Sequence, residues 1–514
     1  MIGIKDTFIG HSAKSDILSG IVVAVALVPE AIAFSIIAGV SPLVGLYTAF
    51  ILGFITSLIG GKSGMISGAT GAIAVVLVGL GVKVKEALPQ ESLDQLMQNG
   101  ELSNYILQYI LLTTILAGII QITIGVFKLG KLIRLVPQPA MYGFVNGLAI
   151  VIAMAQFPLF KGENWVMYVL VASTMIIVKF FPKITKSIPS GLVAIIVISA
   201  VVIFLDLDTK RVGNLANISG DLPSFGIPTL HLTLDSLSTV LPYSVLVALV
   251  GLIESLLTLS VLDEMGGKRG SGNQECIAQG TGNITCGFFG GMAGCAMIGQ
   301  SIINFSNGGW GRLSALTASI LLISFVVFLS PLISLIPVAV LVGIMFMVSI
   351  GTFEWQSGNR LRHMPNSDKF VLIVVTLITI FADLAIAVIT GIIISALVFA
   401  WKHSKVRTRT KREDENTKIY EFDGPLFFAS TTSFFELFDI KHDPENIILD
   451  FKDARVMDIS GVEAIDTITK RYAKAGKKLV IRHLSEDCKK ILTAAGPFCT
   501  YEEDDPNYKV AINY

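Results

Sequence analysis

Long apolar runs alternate with short polar breaks from residue 17 to residue 401, and this pattern predicts a bundle of membrane-spanning helices. Fourteen runs are bounded by charged residues, Gly or Pro, although several are shorter than the roughly 20 residues that a straight span needs. The predicted spans are 17–39, 43–60, 66–82, 105–127, 133–157, 164–181, 190–206, 243–262, 277–290, 293–305, 313–330, 332–350, 369–382 and 384–401.

The distribution of Lys and Arg between the loops favours one orientation. With the N-terminus in the cytoplasm, fifteen of these residues fall in inner loops and five in outer loops, as the positive-inside rule requires. An even number of spans returns the C-terminus to the same side. We therefore expect a multi-pass protein of the plasma (inner) membrane, in contact with the lipid bilayer, with both termini cytoplasmic.

The pattern changes after residue 401. Residues 1–401 carry 39 charged residues and residues 402–514 carry another 39, so the tail is far more polar. In the tail, residues 419–422, 426–428, 447–451 and 478–481 read as strands, and residues 432–438, 461–474 and 487–495 as helices. We predict a transmembrane domain at 1–401, a basic linker at 402–412 and a cytoplasmic α/β domain at 413–514.

The amino-acid composition excludes several classes of protein. The chain is 53% hydrophobic and 15% charged, which excludes a disordered chain, a coiled coil and a nucleic-acid-binding protein. No nucleotide loop, catalytic triad or metal-binding spacing occurs, so we predict neither an enzyme nor a cofactor. The cysteines form no CxxC pair, and we expect isolated buried thiols at Cys276, Cys286 and Cys295.

Two short Gly-rich segments, residues 64–71 and 291–300, begin the third and tenth predicted spans. They lie seven spans apart and both open with Gly-Met, as two inverted seven-span repeats would require. Such segments let the chain run extended to mid-membrane and then start a helix, whose free N–H groups and positive dipole end favour an anion. Close helix packing through small residues is the alternative.

Ionisable residues inside the spans are few, and each is costly to insert. Glu254 lies near the middle of the eighth span, with Thr258 one turn later on the same face. Carboxylate and hydroxyl oxygens at this spacing suit Na+, although a proton or a purely structural role fits the same residues. Glu30 follows Pro29 and is expected to line a cavity or to cap a kink. Gln300 is expected to bind substrate or to pack in the core.

Several ordered motifs resemble those of SulP anion transporters. They are residues 42–47 (PLVGLY) leading to 60–63 (GGKS), residues 136–144 (VPQPAMYGF) and residues 308–314 (GGWGRLS). The tail resembles a STAS domain. The resemblance implies a polytopic α-helical membrane protein with fourteen spans in a 7+7 inverted repeat, a core domain moving against a gate domain, and a homodimer.

The resemblance also implies a ligand site between half-helices three and ten. Its residues here are Ala69, Thr70, Gly71, Ala296, Met297, Ile298, Gly299 and Gln300, together with Glu30, which stands where many relatives carry a Gln. Many eukaryotic relatives carry an Arg at the position of Gln300. The missing positive charge, with Glu254 and Thr258 as cation ligands, resembles the cyanobacterial Na+-coupled bicarbonate branch of the family.

We therefore expect a secondary transporter that takes up bicarbonate with Na+ by alternating access. An H+-coupled sulfate or dicarboxylate transporter of the same fold is the alternative. A membrane-anchored signalling scaffold that recruits a cytoplasmic partner through the STAS domain is a third hypothesis. In that domain, Asp458-Ile459-Ser460-Gly461 matches the loop whose Ser or Thr is phosphorylated in anti-sigma antagonists, so Ser460 is either a regulatory site or a helix cap.

Overall fold

The computed structural model describes residues 8, 10, 12–130, 138–185, 189–215, 220–229, 233–266, 269–381, 384–402, 406–485 and 488. Within these residues the chain divides into two compact units, assigned as Met1–Ile392 and Ile393–Tyr514.

The first unit is built from helices and two very short strands. Its first half contains α1 (Ala13–Ile37), α2 (Pro42–Ile59), β1 (Ser67–Gly68), α3 (Gly71–Ala87), α4 (Gln90–Gln98), α5 (Leu102–Val126), α6 (Gln138–Met154), α7 (Trp165–Phe180) and α8 (Ser190–Phe204). A short α9 (Val212–Leu215) follows. The second half contains α10 (Leu234–Gly266), α11 (Gly272–Phe288), β2 (Cys295–Ala296), α12 (Ile298–Ser306), α13 (Arg312–Ser334), α14 (Val338–Thr352), α15 (Trp355–Leu361), α16 (Asn366–Phe381) and α17 (Leu384–Lys402).

Each of the fourteen predicted spans overlaps one of these helices. Among the described residues, seven helices are long and apolar enough to cross a membrane, namely α1, α2, α5, α6 and α7 (the last two with short 3-10 extensions), α10 and α13. The number fourteen itself stays a prediction. The largest difference is α10, which begins at residue 234 rather than 243 and contains Pro242. The prediction started the span after this proline because proline usually interrupts a helix.

The helix packing of the two halves is symmetric. Helices α1 and α2 pack against α13, and their counterparts seven spans later, α10 and α11, pack against α5. Likewise α6 packs against α16 and α14 against α7. At the crossing of α5 and α11, Gly118 and Gly280 face each other so closely that a Cβ on either would collide with the carbonyl oxygen of the other. This exchange of partners is what an inverted repeat produces.

The second unit contains a four-stranded sheet in the order β3 (Arg407–Arg412), β4 (Thr417–Leu426), β5 (Asn446–Val456) and β6 (Lys478–Arg482). Strands β3 and β4 are antiparallel, whereas β4–β5 and β5–β6 are parallel. Helix α18 (Thr431–Phe435) precedes β5, and α19 (Ile459–Lys474) connects β5 to β6. The core is rich in aromatic side chains, including Tyr420, Phe422, Phe434, Phe451 and Tyr472.

Two features of this unit differ from the prediction. The segment 402–412, predicted as a linker, contains β3, in which Thr alternates with basic residues along an edge strand. The predicted strands 419–422 and 426–428 are a single strand, β4, which runs through the predicted break and ends at Leu426. The predicted helix at 487–495 lies outside the described residues except for Cys488.

Candidate functional site

Two extended segments cross inside the helical unit, at the Gly-rich positions that the sequence singled out. Strands β1 and β2 pair antiparallel, with Ser67 opposite Ala296 and Gly68 opposite Cys295. The Met297 amide continues the ladder by donating to the Ile66 carbonyl at 2.8 Å. Each strand leads within three residues into a helix, α3 or α12. The predicted change from extended chain to helix is therefore present. Each helix begins about five residues after the start of the corresponding predicted span.

Both helix starts present first-turn N–H groups at this crossing. The first intrahelical bond of α3 runs from the Ala74 amide to Thr70, and that of α12 from the Ser301 amide to Met297. The amides before these two have no acceptor one turn earlier in their own helix. Ala69, Thr70 and Ala296 are buried beside the crossing, whereas Gly299 in the first turn of α12 is exposed. The arrangement suits an anion.

Glu30 and Gln300 are brought together although 270 residues separate them in sequence. The Gln300 side-chain amide donates to Glu30 Oε1 at 2.8 Å. The Oε1 atom of Gln300 is buried and has no hydrogen-bond partner in the structure. Glu30 follows Pro29 within α1, which continues through both residues. The contact joins α1 to the first turn of α12, and it leaves a buried acceptor beside the predicted anion site.

Glu254 lies against β2. The Cys295 thiol donates to Glu254 Oε2 at 3.0 Å, and Cys295 Sγ lies 3.2 Å from Thr70 Oγ1. The Thr258 hydroxyl donates to the Glu254 backbone carbonyl at 2.7 Å, so its proton is used within the helix. The lone pairs of the Thr258 oxygen and the Glu254 carboxylate are oxygen ligands of the type that Na+ prefers.

The side chains that hold the crossing strands were not among the predicted site residues. They lie on one face of α11 at Glu275, Gln279 and Asn283, each four residues apart. Gln279 donates to Ser67 Oγ at 2.8 Å and to Glu275 at 2.7 Å. Asn283 accepts from the Gly294 amide at 2.9 Å and donates to its carbonyl at 3.1 Å. Their spacing was the available signal, because polar residues at i, i+4 and i+8 share one helix face.

Two serines complete this support. Ser255 Oγ accepts from the Ala296 amide and Ser301 Oγ from the Ile66 amide, both at 3.0 Å. Serine is common and gives no distinctive pattern, so no sequence signal marked these positions. Together with α11, they satisfy backbone groups that a two-residue strand pair cannot satisfy by itself.

The motif around residues 308–314 fixes the helix ends near this site. The buried Asp16 carboxylate accepts from the amides of Trp310 and Gly311, both at 3.0 Å. Arg312 donates to the carbonyls of Ser57 at 2.9 Å and Gly60 at 2.6 Å, at the C-terminal end of α2. A positive charge there compensates the free carbonyls and the negative end of the helix dipole.

In the second unit, Ser460 is the second residue of α19 and is half-buried. The capping contact is made by Asp458, whose Oδ1 accepts from the Gly461 amide at 2.9 Å. The helix-cap role considered for Ser460 therefore belongs to Asp458. A regulatory role of Ser460 stays a prediction.

Comparisons with known proteins agree with this architecture. The sulfate permease family model matches residues 13–166 and 161–376, and the STAS domain model matches residues 408–501. The chain is 42% identical to "Putative sulfate transporter YbaR" of Bacillus subtilis over 95% of this chain and 98% of that protein. It is 26% identical to the bicarbonate transporter BicA of Synechocystis sp. over 92% of this chain and 88% of that protein.

Two solved structures share the fold. The transmembrane domain of a cyanobacterial bicarbonate transporter BicA aligns with a TM-score of 0.65 and 27% identity, covering 74% of this chain and 99% of that one. The murine anion transporter Slc26a9 in its inward-facing state aligns with a TM-score of 0.81 and 16% identity, covering 96% of this chain and 89% of that one. The chain belongs to the sulfate permease (SulP) family of membrane anion transporters and carries a C-terminal STAS domain.

Proposed function

We propose that this transporter takes up bicarbonate together with Na+ by alternating access. The observation that carries the proposal is the contact chain from Thr70 through Cys295 to Glu254, which joins the predicted anion contact to the predicted cation ligand. The protein acts as a homodimer in the plasma membrane with cytoplasmic termini, as expected from its loop charges and its resemblance to the family.

The charges at the site support a co-transported cation. The side chains predicted to contact substrate or cation include two carboxylates, Glu30 and Glu254, and no Lys or Arg. An anion is then attracted by the N-termini of α3 and α12, each equivalent to about half a positive charge. A Na+ ion at Glu254 would cancel a negative charge beside the anion and so strengthen its binding.

Bicarbonate fits this arrangement because a single negative charge matches the partial charges of two helix ends without a fixed cationic side chain. The likeness to two cyanobacterial BicA proteins, in sequence and in fold, supports the same substrate. Sulfate, driven by H+, is the second candidate. It is favoured by the 42% identity to YbaR, whose name describes a sulfate transporter.

Uptake of labelled bicarbonate and sulfate into proteoliposomes tests both candidates. The inward gradient is Na+ at constant pH in one series and H+ without Na+ in the other. We expect bicarbonate uptake that rises with the Na+ gradient and is lost in Glu254→Gln, which keeps the shape of the side chain and removes its charge. Sulfate uptake that follows H+ and ignores Na+ would select the second candidate.

The same variant, tested in cells, distinguishes transport from a scaffold function. If the protein acts as a transporter, Glu254→Gln abolishes the cellular phenotype that depends on it. A scaffold keeps its phenotype in Glu254→Gln and loses it when residues 413–514 are deleted.

A further inference from the structure

Cys295 occupies a position that neither the predicted anion contacts nor the predicted cation ligands include. Its side chain is completely buried, and its sulfur lies between Glu254 Oε2 at 3.0 Å and Thr70 Oγ1 at 3.2 Å. Backbone pairing with Gly68 fixes this position, because β2 cannot slide without breaking the ladder. The thiol therefore contacts both of the groups that the proposed function assigns to cation and anion.

The direction of the two hydrogen bonds follows from counting protons. A thiol carries one hydrogen, and the structure directs it to the Glu254 carboxylate. With the thiol proton donated to the carboxylate, the Thr70 hydroxyl is the donor in its contact with the sulfur. The same hydroxyl also contacts the Glu254 carboxylate, so its single proton is shared between the sulfur, a weak acceptor, and that carboxylate.

We propose that Cys295 is a positioning residue that couples cation binding at Glu254 to anion binding at Thr70; this inference rests on the proposed function. A Na+ ion on Glu254 Oε2 takes the lone pairs that accept the thiol proton. The S–H group then rotates and donates to Thr70 Oγ1, and the Thr70 hydroxyl turns its proton toward the anion. Only hydrogen bonds are exchanged, and no proton leaves its atom.

The exchange makes the two binding events favour each other. Without the cation, the anion competes with the sulfur and with the Glu254 carboxylate for the Thr70 proton, whereas with the cation bound that proton is already free. Thermodynamic linkage requires that the anion strengthens cation binding by the same factor. The exchange replaces existing acceptors by the anion and so gains about as much as one ordinary hydrogen bond, from which we expect this factor to be about five- to tenfold.

The test measures anion affinity by isothermal titration calorimetry of the purified intact protein, which does not require turnover. The Kd of bicarbonate is measured with saturating Na+ and with choline in its place, and sulfate is titrated in parallel. The variants are Cys295→Ala, Cys295→Val and Cys295→Ser. Cys286→Ala is the matched control, because Cys286 is equally buried but its polar contacts are with backbone groups, among them the Thr48 carbonyl at 4.0 Å.

We expect Na+ to lower the anion Kd about five- to tenfold in the unmodified protein, in Cys286→Ala and in Cys295→Ser, whose hydroxyl can also donate one proton and accept another. In Cys295→Ala and Cys295→Val the Na+ effect should fall at least about twofold below that of Cys286→Ala, and the remainder is the cancellation of the Glu254 charge, which does not need the thiol. The valine variant fills the space of the thiol, so it keeps the test valid where the alanine variant fails to fold.

A full Na+ effect in Cys295→Ala or Cys295→Val overturns the inference and leaves the proposed function intact. Loss of the effect in Cys295→Ser to the same degree also overturns it, because packing rather than hydrogen bonding would then be responsible. Absence of any Na+ effect in the unmodified protein refutes Na+ coupling itself, and the inference with it.

Discussion

At the scale of single residues, the contact between Gln300 and Glu30 determines the charge at the start of α12, where the anion site is predicted. Gln300→Glu replaces the amide donor by a second carboxyl group 2.8 Å from Glu30 Oε1. Like charges at this distance repel each other by several kcal/mol at an effective dielectric constant of about 20, and the added negative charge also opposes an anion at the start of α12. We expect the anion KM in the proteoliposome assay to rise at least about tenfold, by this repulsion.

Asn307→Asp is the matched control for this prediction. It makes the same amide-to-acid change just beyond the C-terminal end of α12, where Asn307 is exposed and donates to the Ile303 carbonyl. The control should leave the anion KM unchanged. Equal KM increases in both variants would show that the charge of the helix, and not the site at its start, controls affinity.

The residues of the site were predictable to different degrees. Glu30 and Gln300 were singled out because polar groups inside an apolar span are rare, and the structure joins them directly. The thiol of Cys295 gave no such signal, because an isolated cysteine in an apolar segment usually packs as a small hydrophobic residue. Its role depends on strand register, which places it between Thr70 and Glu254 and which spacing along the chain does not reveal.

At the scale of secondary structure elements, the crossing of β1 and β2 depends on the absence of a side chain at Gly294. A Cβ there would collide with the Gly68 carbonyl oxygen and with Leu52. Because the nearest obstacle is backbone, Gly294→Ala must displace one of the two strands. We expect abolished anion uptake and a destabilisation of about 1–3 kcal/mol, typical of overpacking, measured as a lower thermal unfolding temperature of the purified protein.

Gly351→Ala provides the control. Gly351 lies in α14, and a Cβ there would meet no atom within 4 Å. Alanine also favours a helix over glycine by up to about 1 kcal/mol, so uptake should persist and the unfolding temperature should stay the same or rise. Normal uptake by Gly294→Ala would show that the strand pair is not part of the transport machinery.

The two elements that start at the Gly-rich segments were predicted, but the element that holds them was not. Repeated glycines near the start of two apolar spans indicate a break in the helix whatever surrounds them. The polar face of α11 was overlooked because the predicted span started at residue 277, beyond Glu275. With that boundary, Gln279 and Asn283 appear as isolated polar residues rather than as part of a three-residue ladder.

At the scale of the whole molecule, the two units gain stability in different ways. Polar side chains of the helical unit satisfy broken backbone, as Asn283 does for Gly294. The STAS unit has an aromatic core with a buried acidic centre at Asp443. Lys418 donates to Asp443 Oδ1 at 2.6 Å, and the hydroxyl groups of Tyr420 and Tyr472 donate to Oδ2. This centre makes the stability of the STAS unit depend on pH.

The pKa shifts of Asp443 and Lys418 determine how the stability of the STAS unit changes with pH. Burial alone would raise the pKa of Asp443, but hydrogen bonds from Lys418, Tyr472 and Tyr420 outweigh it and leave the pKa below its ordinary value. Burial alone would lower the pKa of Lys418, but its bonds to Asp443 and Tyr420 raise it above its ordinary value. The contribution of Asp443 is therefore complete above pH about 4 and is lost as the pH falls through its folded-state pKa. The contribution of Lys418 is complete below pH about 10.4 and is lost as the pH rises through its folded-state pKa.

Asp443→Asn should remove this dependence. The amide cannot accept a charge-assisted bond from Lys418 and two hydroxyl bonds together, so we expect a loss of about 1–3 kcal/mol in the stability of the STAS unit. Thermal unfolding of the intact protein, followed by circular dichroism, should show a constant difference between wild type and variant from pH about 4 to about 10.4, and a shrinking difference outside that range. Asp439→Asn is the control, because Asp439 pairs with His442 on the surface, where solvent screens the charges.

A difference in stability between wild type and Asp443→Asn that stays constant through strongly acidic and alkaline pH would contradict the prediction. It would mean that Asp443 acts by its shape alone and that its charge does not stabilise the domain.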